Sequence, residues 1–537
     1  MKANQHDKKS FMNLIKDPWI PAIRQDGIEC KIAPWQIVEI ENPIIELTAP
    51  RPDFQGALYQ FLIGLLQTTF APEDQVEWLK YWENVPDAQK LKSTFELFSE
   101  AFELANPEGP AFMQDFSLTE GKKKPIAALL IESPGSKTIK SNLDHFVKGG
   151  LVPGACESCS ASALFTLQIN APSGGAGHRV GLRGGGPLTT LVKRGKSTRL
   201  WQQLWANLLT EEASVESIKT VDSSVLPWMA ESRYSTQGET TYPDDVNPLQ
   251  AYWSMPRRIR LLINEVEEGC CSLCGTNTNR LASSFITKNY GINYDGPWVH
   301  PLTPYRFDLK KENFPLSLKG QKGGLTYRHW LGLAWLDEAS GDTAAQVVRE
   351  FNTERVDLLL DDQQPTIWCF GYDMDNMKAR CWYEHQMPLI DVSKSIRDVF
   401  VAAANQLNNA AREAAKLLRS QIKTAWFSRP ADVKGDMMTM DQAFWQVTEP
   451  DFFQMLHHLS KMDDGSRQMP PQVADRWRNI LRKSTLSLFD QWVLEGDAED
   501  LDMKRITKAR RELVKKLNIA KPFKDLEQLA ETTTESA

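Results

Sequence analysis

The sequence predicts an α+β protein. A mixed α/β N-terminal body with long loops, residues 1–390, is held by a cysteine-knuckle staple. A C-terminal four-helix bundle follows, residues 391–537. Three observations carry this. Composition changes near residue 390, where "DVSKSIRDVFVAAANQLNNAAREAAKLLRSQIKTAWF" runs without Gly or Pro. Before that point the chain is irregular and rich in Gly, Pro, Trp and Thr. Two C-x-x-C pairs, "CESC" and "CSLC", lie far apart within the irregular part.

In chain order, "MNLIKDPWIPAI" reads as an extended entry punctuated by Pro18 and Pro21. "DFQGALYQFLIGLLQTTFA" has apolar residues at helical spacing (Ala57, Leu58, Phe61, Leu62, Leu65, Leu66), with Asp53 as N-cap. Residues 116 to about 390 hold short strand-like runs such as "LTTLVK" and "RIRLLI" between long loops. In the first bundle helix, Ile396, Val399, Ala403, Leu407, Ala410, Ala414, Leu417 and Leu418 form one apolar stripe. Further helices are expected around 441–461, 472–494 and 498–517, with "EPDF", "DDGSRQMPP" and "EGDAED" as breakers. Arg412, Lys416, Arg419 and Lys423 share one basic helix face, and Lys504, Lys508, Arg511 and Lys515 repeat the spacing. The last dozen residues read as a frayed tail.

The 537 residues allow two or three domains. A net charge of −7 does not point to a nucleic-acid binder. Its distribution does: Gly121 to Leu200 carries twelve Lys and Arg against three acidic residues. A local basic stretch with many glycines fits a polyanion surface. No segment reads as a targeting or membrane element, so the expected compartment is the cytoplasm. There, eight cysteines should be thiols or metal ligands.

Cys156 with Cys159, and Cys271 with Cys274, form two knuckles of the kind that supply a four-thiolate zinc site. More than a hundred residues separate them, so the metal would staple distant loops. Four thiolates leave no open position, which makes the expected zinc structural. Cys270 is a spare, and Cys30, Cys369 and Cys381 are expected as buried thiols.

Signals for catalysis are weak. "RGKS" at 194–197 resembles the end of a phosphate-binding loop, but Thr190 stands where the motif needs glycine. His457 and His458 have no ligand partner at helical spacing. Asp357, Asp361 and Asp362 could hold Mg²⁺ in a nuclease, but they lack a matching second acidic cluster. Nothing commits the chain to enzyme chemistry.

The stretch "INAPSGGAGHRVGLRGGGPLTT" places seven glycines within the thirteen residues Gly174 to Gly186. A bare backbone lined by Arg179 and Arg183 suits close approach to a phosphate chain. Together with "FMNLIKDPWIP", "GPAFMQDF", "CESCSASALF", "CSLCG", "GPWVHPLTPY" and "FGYDMDNMKARCWYE", it resembles the CasA family, the large subunit of the type I-E CRISPR surveillance complex Cascade. The resemblance covers most of the chain.

That resemblance implies a non-enzymatic subunit at the crRNA 5′ end that reads the PAM in double-stranded target DNA. It implies a start to strand separation, contacts to other Cascade subunits, and a docking surface for the helicase–nuclease. The family's minor-groove loop falls on Gly174, Gly175, Ala176 and Gly177. Only a bare backbone fits a groove about 6 Å wide. The family's lysine finger falls on Asn289 by ungapped position, with Lys288 adjacent as the lysine available. Its strand-separating wedge falls on Asn376, flanked by Asp375 and Met377. "HFVKG" matches the loop touching the crRNA handle, implying Phe146, Val147 and Lys148. A metal-dependent nuclease, or a scaffold without DNA contact, are the alternatives.

Overall fold

Ile20–Arg24 (β1) pairs antiparallel with Glu29–Ile32 (β2) and with Ile44–Leu47 (β3), giving the order β2-β1-β3. The computed structural model describes residues 11–133, 150–195, 198–231, 233–338, 340–359, 364–375, 377–495 and 501–531. The chain forms two compact units. One comprises Met1–Gly320, Ala345–Gln363 and Trp368–Glu384; the other comprises Gln321–Ala344, Gln364–Ile367 and His385–Ala537.

The core of the first unit gathers around the helix Pro52–Thr69 (α1), which is buried along nearly all its length. The Phe61 ring meets Trp19, Phe102, Phe112, Phe165 and Trp253 edge-on, with centroids 5.3–6.0 Å apart. Edge-to-face contacts match the positive rim of one ring to the negative face of the next. Asp53 is not the N-cap. Arg51 takes that position, and Asp53 lies in the first turn, paired with Arg51 and accepting the Tyr372 hydroxyl.

A second helix, Glu157–Asn170 (α2), packs on α1. The strands that flank the glycine segment and the cysteine pairs are Lys122–Pro125 (β4), Thr189–Lys193 (β5), Arg258–Cys270 (β6) and Asn277–Lys288 (β7). The long β6–β7 hairpin carries β4 on its β7 edge. A second hairpin, Thr366–Asp375 (β8) and Lys378–Pro388 (β9), joins β5 in the order β9-β8-β5.

The second unit is mainly helical, built on Arg397–Trp426 (α3), Met438–Leu459 (α4), Pro471–Leu494 (α5), Met503–Ile519 (α6) and Lys521–Glu531 (α7). The long α3 touches each of the other four. Its apolar stripe is buried at Ile396, Ala403, Leu407, Ala410, Ala414 and Leu418. Two features depart from the sequence reading. "EPDF" does not break a helix: α4 continues through Pro450. Packing holds it on both sides of the proline, since the Tyr327 hydroxyl bonds Thr448 at 2.8 Å and its ring stacks on Phe452 at 4.3 Å. The expected frayed tail also begins as the fifth helix, α7, because Phe523 and Leu526 are buried.

Candidate nucleic-acid interface and metal centre

The two cysteine pairs come together. Cys156 immediately precedes α2, Cys159 lies in its first turn, and Cys271 and Cys274 lie in the turn of the β6–β7 hairpin. Ala155 and Ala282 exchange backbone hydrogen bonds of 3.0 and 2.9 Å, and Ser272 N–H donates to the Gly154 carbonyl at 2.9 Å. All four sulfurs lie within 4.8 Å of one another, and Cys156 Sγ is 3.7 Å from Cys274 Sγ. A zinc tetrahedron with bonds of about 2.3 Å has sulfur–sulfur edges of about 3.8 Å. The donor set fits zinc, and the four cysteines would close its coordination. Cys270 points instead at the Gly275 carbonyl. Of the remaining cysteines only Cys369 is buried; Cys30 is half-buried and Cys381 exposed.

From this cluster, α2 and β7 lead side by side to the glycine segment. A helix of fourteen residues rises about 21 Å, and the strand from Ala282 to Lys288 covers about 20 Å. At the far end, Gln168 Nε2 donates to the Arg257 carbonyl and Arg257 N–H donates to Gln168 Oε1, each at 3.0 Å. The chain then enters the glycine loop. Asn289 Nδ2 donates to the Ala176 carbonyl and Tyr290 N–H to the Gly177 carbonyl, both at 2.7 Å. Gly175 and Gly177 have φ of +87° and +75°, the left-handed region that glycine enters without strain. A Cβ on Gly177 would also lie 2.8 Å from Asn289 Cβ. Gly174, Gly175 and Ala176 are exposed. Gly174–Gly177 and the Asn289–Tyr290 segment after β7 are thus one bonded unit.

The base of this unit is electropositive. β4 sets Lys122, Lys123 and Lys124 opposite Thr287, Ile286 and Phe285. Burial, then the charges of Arg257, Lys124 and Lys122, push His178 down to about 4. Lys288 is exposed at the end of β7. Arg179 donates to Ser235 Oγ at 2.7 Å and lies over the Tyr290 ring at 5.8 Å. Arg183 does not line the outside. It is buried, and its guanidinium donates to Thr189, Thr303, Gln60 and the Ile169 carbonyl at 2.9–3.3 Å. Its donors face inward, so it braces the glycine segment from within.

The second half of the segment supports the β8–β9 hairpin. A Cβ on Gly186 would lie 2.8 Å from the Tyr372 carbonyl, and Gly320 bridges to Asp373. Asp373 accepts both Arg380 Nε at 3.1 Å and Nη2 at 2.5 Å, tying the two strands near their tip. The tip residues Asp375 and Met377 have 63% and 50% exposure. Asn376 lies outside the described residues, as do Phe146, Val147 and Lys148.

The family model of CRISPR-associated protein Cse1 matches residues 13–488. The chain belongs to the Cse1 family. Its fold is similar to Thermus thermophilus CasA (Cse1), with a TM-score of 0.66 and 18% identity over 95% of this chain and 99% of that one. Cse1 from Acidimicrobium ferrooxidans matches with a TM-score of 0.64 and 13% identity over 94% and 99% of the two chains. A chain of a CRISPR RNA-guided surveillance complex matches with 0.68 and 14% over 95% and 99%. These likenesses carry the fold.

The two basic faces of this Cse1-family chain differ. On α3, Arg412 donates to the Arg328 carbonyl, Lys416 pairs with Glu413, Arg419 with Asp441, and Lys423 reaches the Val433 carbonyl. That face is engaged within its own unit. On α6, Lys504, Lys508, Arg511 and Lys515 are all exposed, with no ion pair among the described residues. His457 and His458 are exposed near the end of α4. Asp361 and Asp362, and Lys196 and Ser197 of "RGKS", lie outside the described residues. Among the described residues, the cysteine cluster is the one grouping of metal-ligating side chains, and no helix is long and apolar enough to cross a membrane.

Proposed function

We propose that this Cse1-family chain is the PAM-recognising large subunit of a type I-E CRISPR–crRNA surveillance complex, acting in the cytoplasm without catalysis of its own. The observation that carries the reading is the bonded unit of Gly174–Gly177 with Asn289 and Tyr290. It presents a thin edge that carries one methyl group, that of Ala176, beside a basic surface. Double-stranded target DNA is bound with Gly174, Gly175, Ala176 and Gly177 in the minor groove, where the code is degenerate enough for several PAM sequences. Lys288 and Arg179 flank the loop and meet the phosphates, with Asn289 setting the loop's place. Arg183, buried, is left out of the contact set.

The β8–β9 tip then starts strand separation, with Asp375, Asn376 and Met377 entering beneath the first base pair. Unstacking a step costs a few kcal/mol, offset by guide pairing. Phe146, Val147 and Lys148 contact the crRNA handle. The unpaired α6 face suits DNA or an adjoining Cascade subunit, and the assembled chain helps recruit the helicase–nuclease. Residues 1–390 thus read the PAM and the handle, while the bundle, residues 391–537, makes the outer contacts. Zinc at Cys156, Cys159, Cys271 and Cys274 is structural. Similarity to a chain of an RNA-guided surveillance complex supports the assembly.

A photo-crosslinking group placed at Ala176 in the reconstituted complex tests this. Crosslinks confined to PAM-proximal DNA are expected. Their absence from DNA would favour a scaffold role, and Mg²⁺-dependent cleavage of DNA or RNA by the purified chain would favour a nuclease.

A further inference from the structure

Tyr290 has a backbone that its side chain disfavours. Its φ is +64°, a left-handed conformation that is an outlier for a bulky residue. Three contacts hold it there. Its N–H donates to the Gly177 carbonyl at 2.7 Å, its carbonyl accepts from Ser235 N–H at 3.2 Å, and the next residue is fixed. At that residue, Gly291, a Cβ would run into the Pro256 carbonyl. Strain maintained by surrounding structure concentrates at functional positions.

The side chain that this strain presents is unusual for its surroundings. Tyr290 is 41% exposed beside a loop whose largest side chain is the Ala176 methyl. Its ring abuts Gly177, where a Cβ would lie 3.1 Å from the ring carbons, and the Arg179 guanidinium lies over the ring at 5.8 Å. The ring is therefore fixed against the loop on one side and by a cation on another. Among the described residues its hydroxyl has no hydrogen-bond partner.

We infer that Tyr290 is a further DNA-contacting and specificity-determining residue: its phenol hydroxyl donates to a base-edge acceptor in the minor groove beside Gly174–Gly177. The inference rests on the groove-insertion reading above. Minor-groove base edges offer mainly acceptors, adenine N3 and thymine O2 among them. A loop of glycines can approach them but brings no side-chain donor. The tyrosine hydroxyl supplies one, positioned by the backbone bond to Gly177 and the Arg179 contact.

The test uses the full reconstituted complex with wild type, Tyr290→Phe, Tyr290→Gly and Gly177→Asp, and duplexes with and without a PAM. Tyr290→Phe should lower the PAM to non-PAM affinity ratio about fivefold to tenfold, as for one lost hydrogen bond, with non-PAM binding unchanged. Tyr290→Gly removes the ring and relieves the left-handed strain, so it should lose at least as much discrimination while the melting temperature holds or rises. A merely structural tyrosine would lower the melting temperature instead. Loss with Tyr290→Gly but not with Tyr290→Phe would overturn the hydroxyl contact. Wild-type discrimination in both variants, with loss in Gly177→Asp, would overturn the inference and leave groove insertion standing. Wild-type discrimination in all three would overturn the groove-insertion reading as well.

Discussion

Asn289 Nδ2 donates a 2.7 Å hydrogen bond to the Ala176 carbonyl, joining residues 113 positions apart. This bond makes the end of β7 a support for the glycine loop. Asn289→Ala removes the donor and should cost about 0.5–1.5 kcal/mol of loop order. We expect faster amide exchange over residues 174–178 and PAM-duplex affinity lowered about threefold to tenfold. Lys288→Ala should behave differently. It removes a charge, so affinity falls alike for PAM and non-PAM duplexes, and the slope of log K against log salt flattens by about 0.9. Salt titrations of the two variants separate positioning from phosphate contact.

The loop glycines should differ in tolerance. Gly175 has φ of +87° and open space around a Cβ, so Gly175→Ala carries backbone strain alone, about 1–2 kcal/mol. Gly177→Ala adds a clash at 2.8 Å with Asn289 Cβ. Melting curves should rank Gly177→Ala below Gly175→Ala, and PAM binding should follow the same order.

Metal removal should be felt at both knuckles. Purified protein is expected to hold close to one zinc per chain; less than about half an equivalent would count against four ligands. Chelation, or Cys156→Ser, should lower the melting temperature and increase hydrogen exchange around residues 150–159 and 270–277, because metal binding contributes directly to folding. The α2 and β7 arms carry that loosening toward the glycine loop.

His178 gives the protein a pH dependence of definite sign. Its folded pKa lies at about 4, against 6.5 ordinarily, from burial and from Arg257, Lys124 and Lys122. Between these values the unfolded chain takes up a proton that the folded chain refuses, so stability falls as pH drops through that window. His178→Gln should flatten the melting temperature over the same range, measured against wild type.

Much of this was legible in the sequence, for identifiable reasons. The cysteine spacing led to Cys156, Cys159, Cys271 and Cys274 as one cluster, because knuckle spacing is set by the metal rather than by the fold. The apolar stripe of α3 was readable because helical period survives without tertiary information. Pro450 was not, since it is the packing of Tyr327 against Thr448 and Phe452 that holds α4 on both sides of it. Arg183 looked like a surface cation because charge alone does not show burial; the partners of its four inward bonds come from α1, α2, β5 and the loop at Thr303. Asn289 was placed on the finger only by position, and its bond to Ala176 crosses too much sequence to be seen. Tyr290 left one faint signal, an aromatic between Asn289 and Gly291 at a strand end.

The central claim is that Gly174–Gly177 reads the PAM by entering the minor groove. Its most direct measurement compares PAM and non-PAM duplex binding by the full complex carrying Gly174→Asp. The added Cβ would lie under 3 Å from His178 Cβ and the Arg257 guanidinium, and the carboxylate would bring negative charge into the groove. The account predicts that PAM discrimination is lost while the complex still assembles on crRNA. Unchanged discrimination by that assembled variant would contradict it.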